Sequence, residues 1–506
     1  MSSNKDIARA ESVLAITATP SNEDSDNLCS QKSVLASGIH NSNHHLDKDH
    51  QENQQTELPY SPFSSRTRAM IVIITALTGL VSPLSANMYY PSIQKVRDDL
   101  HTTQSSITWT VTAYVIAMAI FPLLWSNMAD QIGRKPVYAV SMLIYTCGSI
   151  GCALSHSLAA LIASRIIQSA GSSAVQGAGA GTISDIYPRE KRGTALGIYY
   201  LGPLLGPCLG PLIGGYMGQN AGWRWVFWFL AIWGGVMMLL SIFVLPETHR
   251  RIVAKKHCIQ NINIPPVMSI KQNNPLLDIA TARYPVIALS MFHFAMLFGA
   301  YFTNATGQPL AYENTYGLKQ GPSGLCFLAS GVGCIVGSLS GGRVTDIMLR
   351  KRRKQMESSS MLSKENGQMQ IKVPPETRLQ MMWIGSLLFL CSLVTCGWFI
   401  ENKVSLAGVL VMQFCIGAGM SYTFQSLGGY VIDVFPTMSA RITGVQNFWR
   451  SVWTAVIVQL FPTMLDNIGW GWSYTTMFFL TVVSLSLMQI VVFRGEQLRN
   501  RFGPKI

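Results

Sequence analysis

Apolar stretches of about 20 residues recur along this chain from Ala69 onward. Each is long enough to cross the roughly 30 Å hydrocarbon core of a bilayer. They fall at about 69–89, 107–128, 136–155, 158–182, 194–217, 225–245, 284–303, 323–343, 380–400, 404–430, 443–464 and 472–493. A bilayer core offers no water to loose backbone groups, so such runs have to be helices. The expected fold is therefore all-α and transmembrane, with twelve helices. Composition agrees. Only 12% of residues are charged, against about 25% in soluble domains. Most of the ten cysteines, such as Cys147, Cys152, Cys334 and Cys415, lie inside apolar runs. They read as small hydrophobes and not as a disulfide framework.

The basic residues sort by side. With the N-terminus placed in the cytoplasm, 31 of the 38 lysines and arginines fall in cytoplasmic segments. Lys95, Arg97, Arg224, Lys319 and Lys403 fall outside, and Arg165 and Arg450 lie within spans. This asymmetry is the positive-inside pattern, and it puts both termini in the cytoplasm. The net charge of +13 then belongs to loops such as RKRRK, Arg350–Lys354, which suit anionic lipid. Nucleic acid is not an expected partner.

Five segments follow. Residues 1–64 form a polar, Asn-, Ser- and His-rich cytoplasmic tail with little to bury, expected to be disordered. It has no apolar core near Met1 and is not a secretory signal. His44 and His45 raise metal binding as a second reading of this tail, the first being a solvated regulatory segment. Residues 65–245 form a first six-helix bundle, 246–283 a central cytoplasmic loop, 284–493 a second bundle and 494–506 a C-terminal tail. Two halves of six spans suit a transporter with a midplane site between them.

Span five carries LGIYYLGPLLGPCLGPLIGG, 196–215. Gly202, Gly206, Gly210 and Gly214 recur every four residues, with Pro203, Pro207 and Pro211 between them. Glycine and proline weaken a helix in water. In lipid, a small-residue ridge lets two helices approach closely. Ala163, Ala170, Ala174, Gly177 and Gly181 of span four offer a matching surface, and Gly333, Gly337 and Gly341 repeat the theme on span eight.

The spacing of Gly197, Gly206, Gly210, Pro211 and Gly214 resembles the antiporter motif of the major facilitator superfamily. WSNMADQIGRKP, 125–136, resembles that family's loop between spans two and three through Asp130, Gly133, Arg134 and Lys135. Ser126 replaces its first glycine, so looser packing is expected there. GGRVTDIMLRK, 341–351, resembles the same motif in the second half through Gly342, Asp346 and Arg350. SRIIQSAGSS, 164–173, resembles the span-four motif through Arg165, Gln168 and Gly171, with Ser169 in place of a glycine. GWRWVFWF, 222–229, and LPET, 245–248, look like the fungal exporter pattern around span six. The resemblance covers about 65–495 and is closest to the fungal twelve-span drug:proton antiporters of the quinidine-resistance-like branch, spore-wall dityrosine exporters included. It implies a fold of two six-helix bundles.

By this resemblance, Asp130 and Asp346 are clamp residues that lock one conformation, and Arg165 is tied to proton coupling. Physically, a carboxylate at a helix terminus near an arginine forms a charge-assisted clamp; a solvated loop charge is the plainer reading. A buried arginine is expensive and faces a cavity or a partner, so Arg165 either couples or simply bonds Gln168. Arg450, beside Asn447 on span eleven, either snorkels to the interface or joins an inner gate. No Asp or Glu sits at the middle of a span, which weakens the case for strongly cationic cargo. His293, mid-span on span seven, is the remaining titratable candidate for a proton carrier, or else a core hydrogen-bonding group. Candidate cavity residues are Asn87, Tyr114, Tyr199, Phe294, Phe298, Tyr422, Gln425, Asn447 and Arg450. Asn304–Ala305–Thr306 is a formal glycosylation sequon hugging the membrane.

The expected function is proton-coupled export of small organic molecules: amphipathic or cationic drugs, amines, weak acids or a related metabolite. The partners would be that substrate, protons and the bilayer. A fungal plasma membrane, a monomer and no cofactor or metal complete the expectation. A proton-independent facilitator or nutrient importer is the second reading, and a non-transporting scaffold or sensor the third. No nucleophile–base pair or metal-ligand cluster points to an enzyme, and the loops are too short for a nucleotide-binding domain.

Overall fold

The computed structural model describes residues 63–187, 192–250, 252–253, 285–361, 375–434 and 439–502. The reading of the N-terminal tail, with His44 and His45, falls almost wholly outside them, as does most of the central loop. Among the described residues the fold is all helix, with no strand. Eleven helices are long and apolar enough to cross a membrane. These are α1 Ser65–Asp99, α2 Gln104–Ile132, α3 Arg134–Ala153, α4 Leu158–Ile186, α5 Arg192–Asn220 and α6 Trp223–Phe243. They continue with α7 Pro285–Asn314, α8 Gln320–Met361, α9 Leu379–Glu401, α10 Leu406–Val434 and α11 Ser439–Phe502. Segments Ser61–His249 and Pro266–Ile506 group as one compact unit, which holds all eleven.

Eleven replaces the expected twelve because the last two spans are one helical stretch, α11. At 1.5 Å per residue a straight helix of this length would run to roughly 95 Å, about three times a bilayer core. It is not straight. Gly469 breaks it at φ 74° and ψ −178°, a conformation that a side chain would strain. Phe461 and Tyr474 flank the break with ring centroids 6.0 Å apart, whereas thirteen residues of straight helix would separate them by about 20 Å. The chain therefore doubles back at Gly469. Glu401, ending α9, fixes the turn: its Oε2 accepts from the backbone N–H of Trp470 at 2.7 Å and of Gly471 at 3.3 Å.

Sequence-local signals set the other ends. Ser64, Thr103 and Ser157 cap α1, α2 and α4, each side-chain oxygen accepting from an N–H three residues on. Between α2 and α3 a single residue, Gly133, turns the chain at φ 103°. α4 is interrupted at Ser173 into Leu158–Ser172 and Ala174–Ile186.

The glycine ridge of α5 does pack tightly, but on α1 and not on α4 as its small residues had led us to expect. A Cβ at Gly202 or Gly214 would overlap the carbonyl oxygen of Ala76 or Met88, and one at Gly210 would lie 2.8 Å from Asn87 Cβ. The small residues of α4 are used elsewhere. Gly177 meets Pro122 and Ser126 of α2, and Gly181 meets the guanidinium of Arg134. The glycine lost at position 126 is thus compensated by the glycine facing it, and that contact is close, not loose. The other side of α5 meets α8, where Gly215 approaches Gly324 and Cys208 approaches Gly331. On α8, Gly333 and Gly337 seat against the carbonyls of Phe414 and Ala418 of α10.

Among the described residues, three hydrogen bonds join the halves at the helix ends remote from the basic loops. Thr112 Oγ1 donates to Gln459 Oε1 at 2.9 Å, and Gln459 Nε2 donates to the Ser105 carbonyl at 3.2 Å. Gln219 Oε1 accepts from the Gly321 N–H at 2.8 Å.

Candidate functional site

At the basic-loop end of the first half, four charged residues from four elements meet. Gly133 brings Arg134 back under the end of α2. There Arg134 Nη2 lies 2.9 Å from Asp130 Oδ1 and its Nε 3.1 Å from Asp185 Oδ2 at the end of α4. The Arg134 side chain is 9% exposed, that of Asp185 15% and that of Asp130 52%. Glu247, just after α6, accepts from the N–H groups of Arg134 and Lys135 at 2.9 and 3.2 Å. A carboxylate at a helix N-terminus is favoured by the unpaired N–H groups and by the macrodipole. Three elements are thereby tied to the loop between α2 and α3. The motif residues Asp130, Gly133, Arg134 and Lys135 are brought together; Asp185 and Glu247 complete them, and sequence reading had left both unassigned. The LPET stretch was the available signal for Glu247.

In the second half, Gly342 has open space around it and Arg350 is exposed. The side chain of Asp346 lies outside the described set, so its clamp reading does too. Lys351, Arg352 and Lys354 are exposed beside Arg350.

Deeper in the first half, Arg165 is fully buried. Its Nη1 donates to Gln168 Oε1 at 2.8 Å and to the Ser85 carbonyl at 3.3 Å. Its guanidinium sits 4.3 Å over the ring of Tyr114 and 4.8 Å over that of Tyr89. Hydroxyls extend the network: Tyr114 to Ser172 and Ser82, Tyr145 to Ser85, and Gln168 Nε2 to Ser149. Ser169, standing where a glycine was expected, donates to the Tyr114 carbonyl at 2.7 Å. Arg165 makes no ion pair among the described residues; amide, carbonyl and aromatic faces hold it. Such faces are worth about 2 kcal/mol each to a desolvated cation.

The second half holds a neutral counterpart. The stretch Gln413–Ser421 repeats the pattern of Arg165–Ser173, with Ala170–Gly171 matched by Ala418–Gly419 and Arg165 by Gln413. Gln413 and Asn304 exchange amide hydrogen bonds of 2.8 and 3.1 Å. Gln308 Nε2 donates to Gln413 at 2.7 Å, and the Tyr474 hydroxyl to Asn304 at 3.0 Å. Asn304 is 1% exposed, so its sequon is sealed in the core.

Arg450 lies among aromatic rings. It is 7% exposed and lies 4.0 Å over the Phe298 ring and 5.7 Å from that of Phe294. Phe424 packs on Phe294 at 4.8 Å. Arg450 makes no ion pair or hydrogen bond through its side chain among the described residues, and its Nε is unpartnered. Asn447, one turn earlier, is half-buried. His293 is fully buried, its Nδ1 2.9 Å from Ser484 Oγ.

The remaining cavity candidates divide. Tyr114 is in the Arg165 network. Tyr199 packs between α4 and α5, its hydroxyl donating to the Val175 carbonyl at 3.1 Å. Asn87 folds onto its own helix, bonding the Pro83 carbonyl at 2.7 Å. Tyr422 is buried with an unpartnered hydroxyl, and Gln425 is exposed, bonding Ser338 at 2.8 Å. Gly197 of the antiporter motif is exposed, and a Cβ there would meet nothing within 4 Å, whereas Gly206, Gly210, Pro211 and Gly214 are buried.

The family model described as "Major Facilitator Superfamily" matches residues 75–458. The chain belongs to the major facilitator superfamily. An MFS-type transporter of Aspergillus flavipes is 30% identical over 445 residues, covering 85% of this chain and 81% of that protein. A multidrug transporter of Candida glabrata is 27% identical over 482 residues, covering 87% and 82%. Dityrosine transporter 1 of Saccharomyces cerevisiae is 27% identical over 496 residues, covering 90% and 85%. Among solved structures, the xylose transporter of E. coli in a partially occluded inward-open conformation superposes with a TM-score of 0.64 at 13% identity. That match covers 84% of this chain and 97% of the other, and it shows the fold. These relatives establish a small-molecule transporter and not an enzyme; at such identities they fix the superfamily and leave the branch open.

Proposed function

We propose that this major facilitator exports small organic molecules from the cytoplasm in exchange for protons, by alternating access between two six-helix bundles. The glycine ridge of α5 carries this reading. It seats α5 backbone-to-backbone on α1 while its other face meets α8 across the two halves, so a shift of α1 against α5 is felt at the junction between halves. The names of the multidrug and dityrosine transporters among its relatives favour export of amphipathic cargo. The Asp130–Arg134–Asp185 cluster with Glu247 is the gate at the basic-loop end. The bonds of Gln459 and Gln219 close the opposite end. Arg165 with Gln168 is the coupling element. The positive-inside pattern supports cytoplasmic termini, and a plasma-membrane monomer is the simplest assembly.

The test is counterflow in sealed vesicles holding the purified protein, with labelled cations, amines and weak acids and an imposed pH step. Accumulation against a gradient, driven by the pH step and lost in Arg165→Ala, is the expected result. Equilibration independent of pH identifies a facilitator instead.

A further inference from the structure

Gln446 and Arg450 stand one helical turn apart on α11, a spacing that puts both side chains on one face. Gln446 is 4% exposed and Arg450 7%. Gln446 Nε2 and Arg450 Nε are both buried N–H donors without an acceptor. Trp449 Nε1, in the same turn, is a third. Buried donors are nearly always satisfied, and an uncompensated buried charge is costly. The Nε of Arg165 is unpartnered too. The two guanidinia differ in that Arg165 Nη1 bonds an amide and a carbonyl, whereas Arg450 has no side-chain hydrogen bond among the described residues. Around Arg450 the neighbours are ring faces, Phe298 and Phe294 with Phe424 behind. Rings compensate part of the charge but accept none of its in-plane N–H bonds.

We infer that Gln446 and Arg450 form the recognition site for the carboxylate of an apolar, aromatic organic acid, the transported cargo. The inference rests on the transport reading and names its substrate class. A carboxylate offers about four acceptor positions, and a guanidinium matches two of them in a planar fork. Gln446 supplies a further donor one turn away. The apolar body of the cargo would lie against the rings of Phe298 and Phe294, which pack on the guanidinium. An organic cation meets the reverse arrangement: surplus N–H donors, a fixed positive charge and, among the described residues, no carboxylate bonded to it.

The inference is tested by direct binding to the detergent-purified full chain. The probes are labelled 2-naphthoate, its neutral carboxamide and the matching 2-naphthylmethylammonium. Naphthoate is expected to bind at least tenfold more tightly than either of the others. Arg450→Gln abolishes that preference, Gln446→Leu reduces it several-fold and Arg450→Lys retains part of it. A preference for the ammonium or the amide overturns the inference, as does a naphthoate preference unchanged in Arg450→Gln, or no binding of any probe. Should Arg450→Gln fail to elute as a single peak, Arg450→Lys and Gln446→Leu decide: an unchanged carboxylate-to-amide ratio overturns it. The vesicle flux experiment is read separately. Absent flux with intact carboxylate binding defeats the transport reading alone, and flux of the ammonium alone defeats this inference alone.

Discussion

The guanidinium of Arg165 lies 4.3 Å over the ring of Tyr114, whose hydroxyl in turn donates to the Ser82 carbonyl at 3.0 Å. One aromatic side chain thus ties a buried charge on α4 to the backbone of α1. Arg165→Lys keeps the charge but loses the planar fork that bonds Gln168 and Ser85 while stacking on the ring. Transport in Arg165→Lys is expected to fall at least tenfold with little loss of folded protein. Tyr114→Phe, which keeps the ring, should retain most activity. Vesicle uptake normalised to monodisperse protein checks both.

The clamp separates into a sheltered and a solvated partner. Asp185 is 15% exposed and Asp130 52%. Removing the sheltered Asp185 leaves Arg134 with only the solvated Asp130 to balance it, a larger loss than that of an exposed pair, which contributes about 0–1 kcal/mol. Asp185→Asn is therefore expected to lower the thermal midpoint of the purified protein by several degrees, and Asp130→Asn by far less. Equal shifts would contradict this geometry.

Alanine substitution along the α5 ridge provides an internal control. Gly214→Ala drives a methyl into the Met88 carbonyl, while Gly197→Ala meets nothing within 4 Å. Overpacking costs about 1–3 kcal/mol. Gly214→Ala should destabilise the protein and slow transport, and Gly197→Ala should leave the thermal midpoint within about one degree of the parent. Thermal unfolding of both variants measures the difference.

The amide cluster makes a different forecast. Asn304→Ala strips acceptors from Gln413 and Tyr474, and each buried group left unpaired costs about 1–3 kcal/mol. A marked loss of stability is expected. Treatment with an N-glycanase should not shift the mobility of the protein, since Asn304 is sealed in the core.

The helices were legible in the sequence because hydrocarbon thickness fixes both their length and their composition. Ten of the expected spans correspond one to one with α1–α10. The motifs also located Asp130, Arg134 and Arg165, since charges in or beside apolar runs stand out. What escaped was pairing. A glycine ridge states that something packs closely without naming the partner, and α1, the true neighbour of α5, carries no glycine ridge of its own to advertise it. Asp185 and Glu247 were visible as acids at span ends. Their convergence on Arg134 is long-range, depending on how α3, α4 and α6 meet. Gln413 escaped because its signal lies in a repeat 248 residues away, where glutamine stands in place of arginine.

Glu401 holds the N–H groups of Trp470 and Gly471 from a helix that ends about seventy residues earlier. As a ribosome delivers this chain, α9 is complete before the apex of the final hairpin emerges. The closing turn therefore meets a receptor already in place, and biogenesis acquires a direction. A chain truncated before Trp470 would leave that carboxylate without the groups it binds.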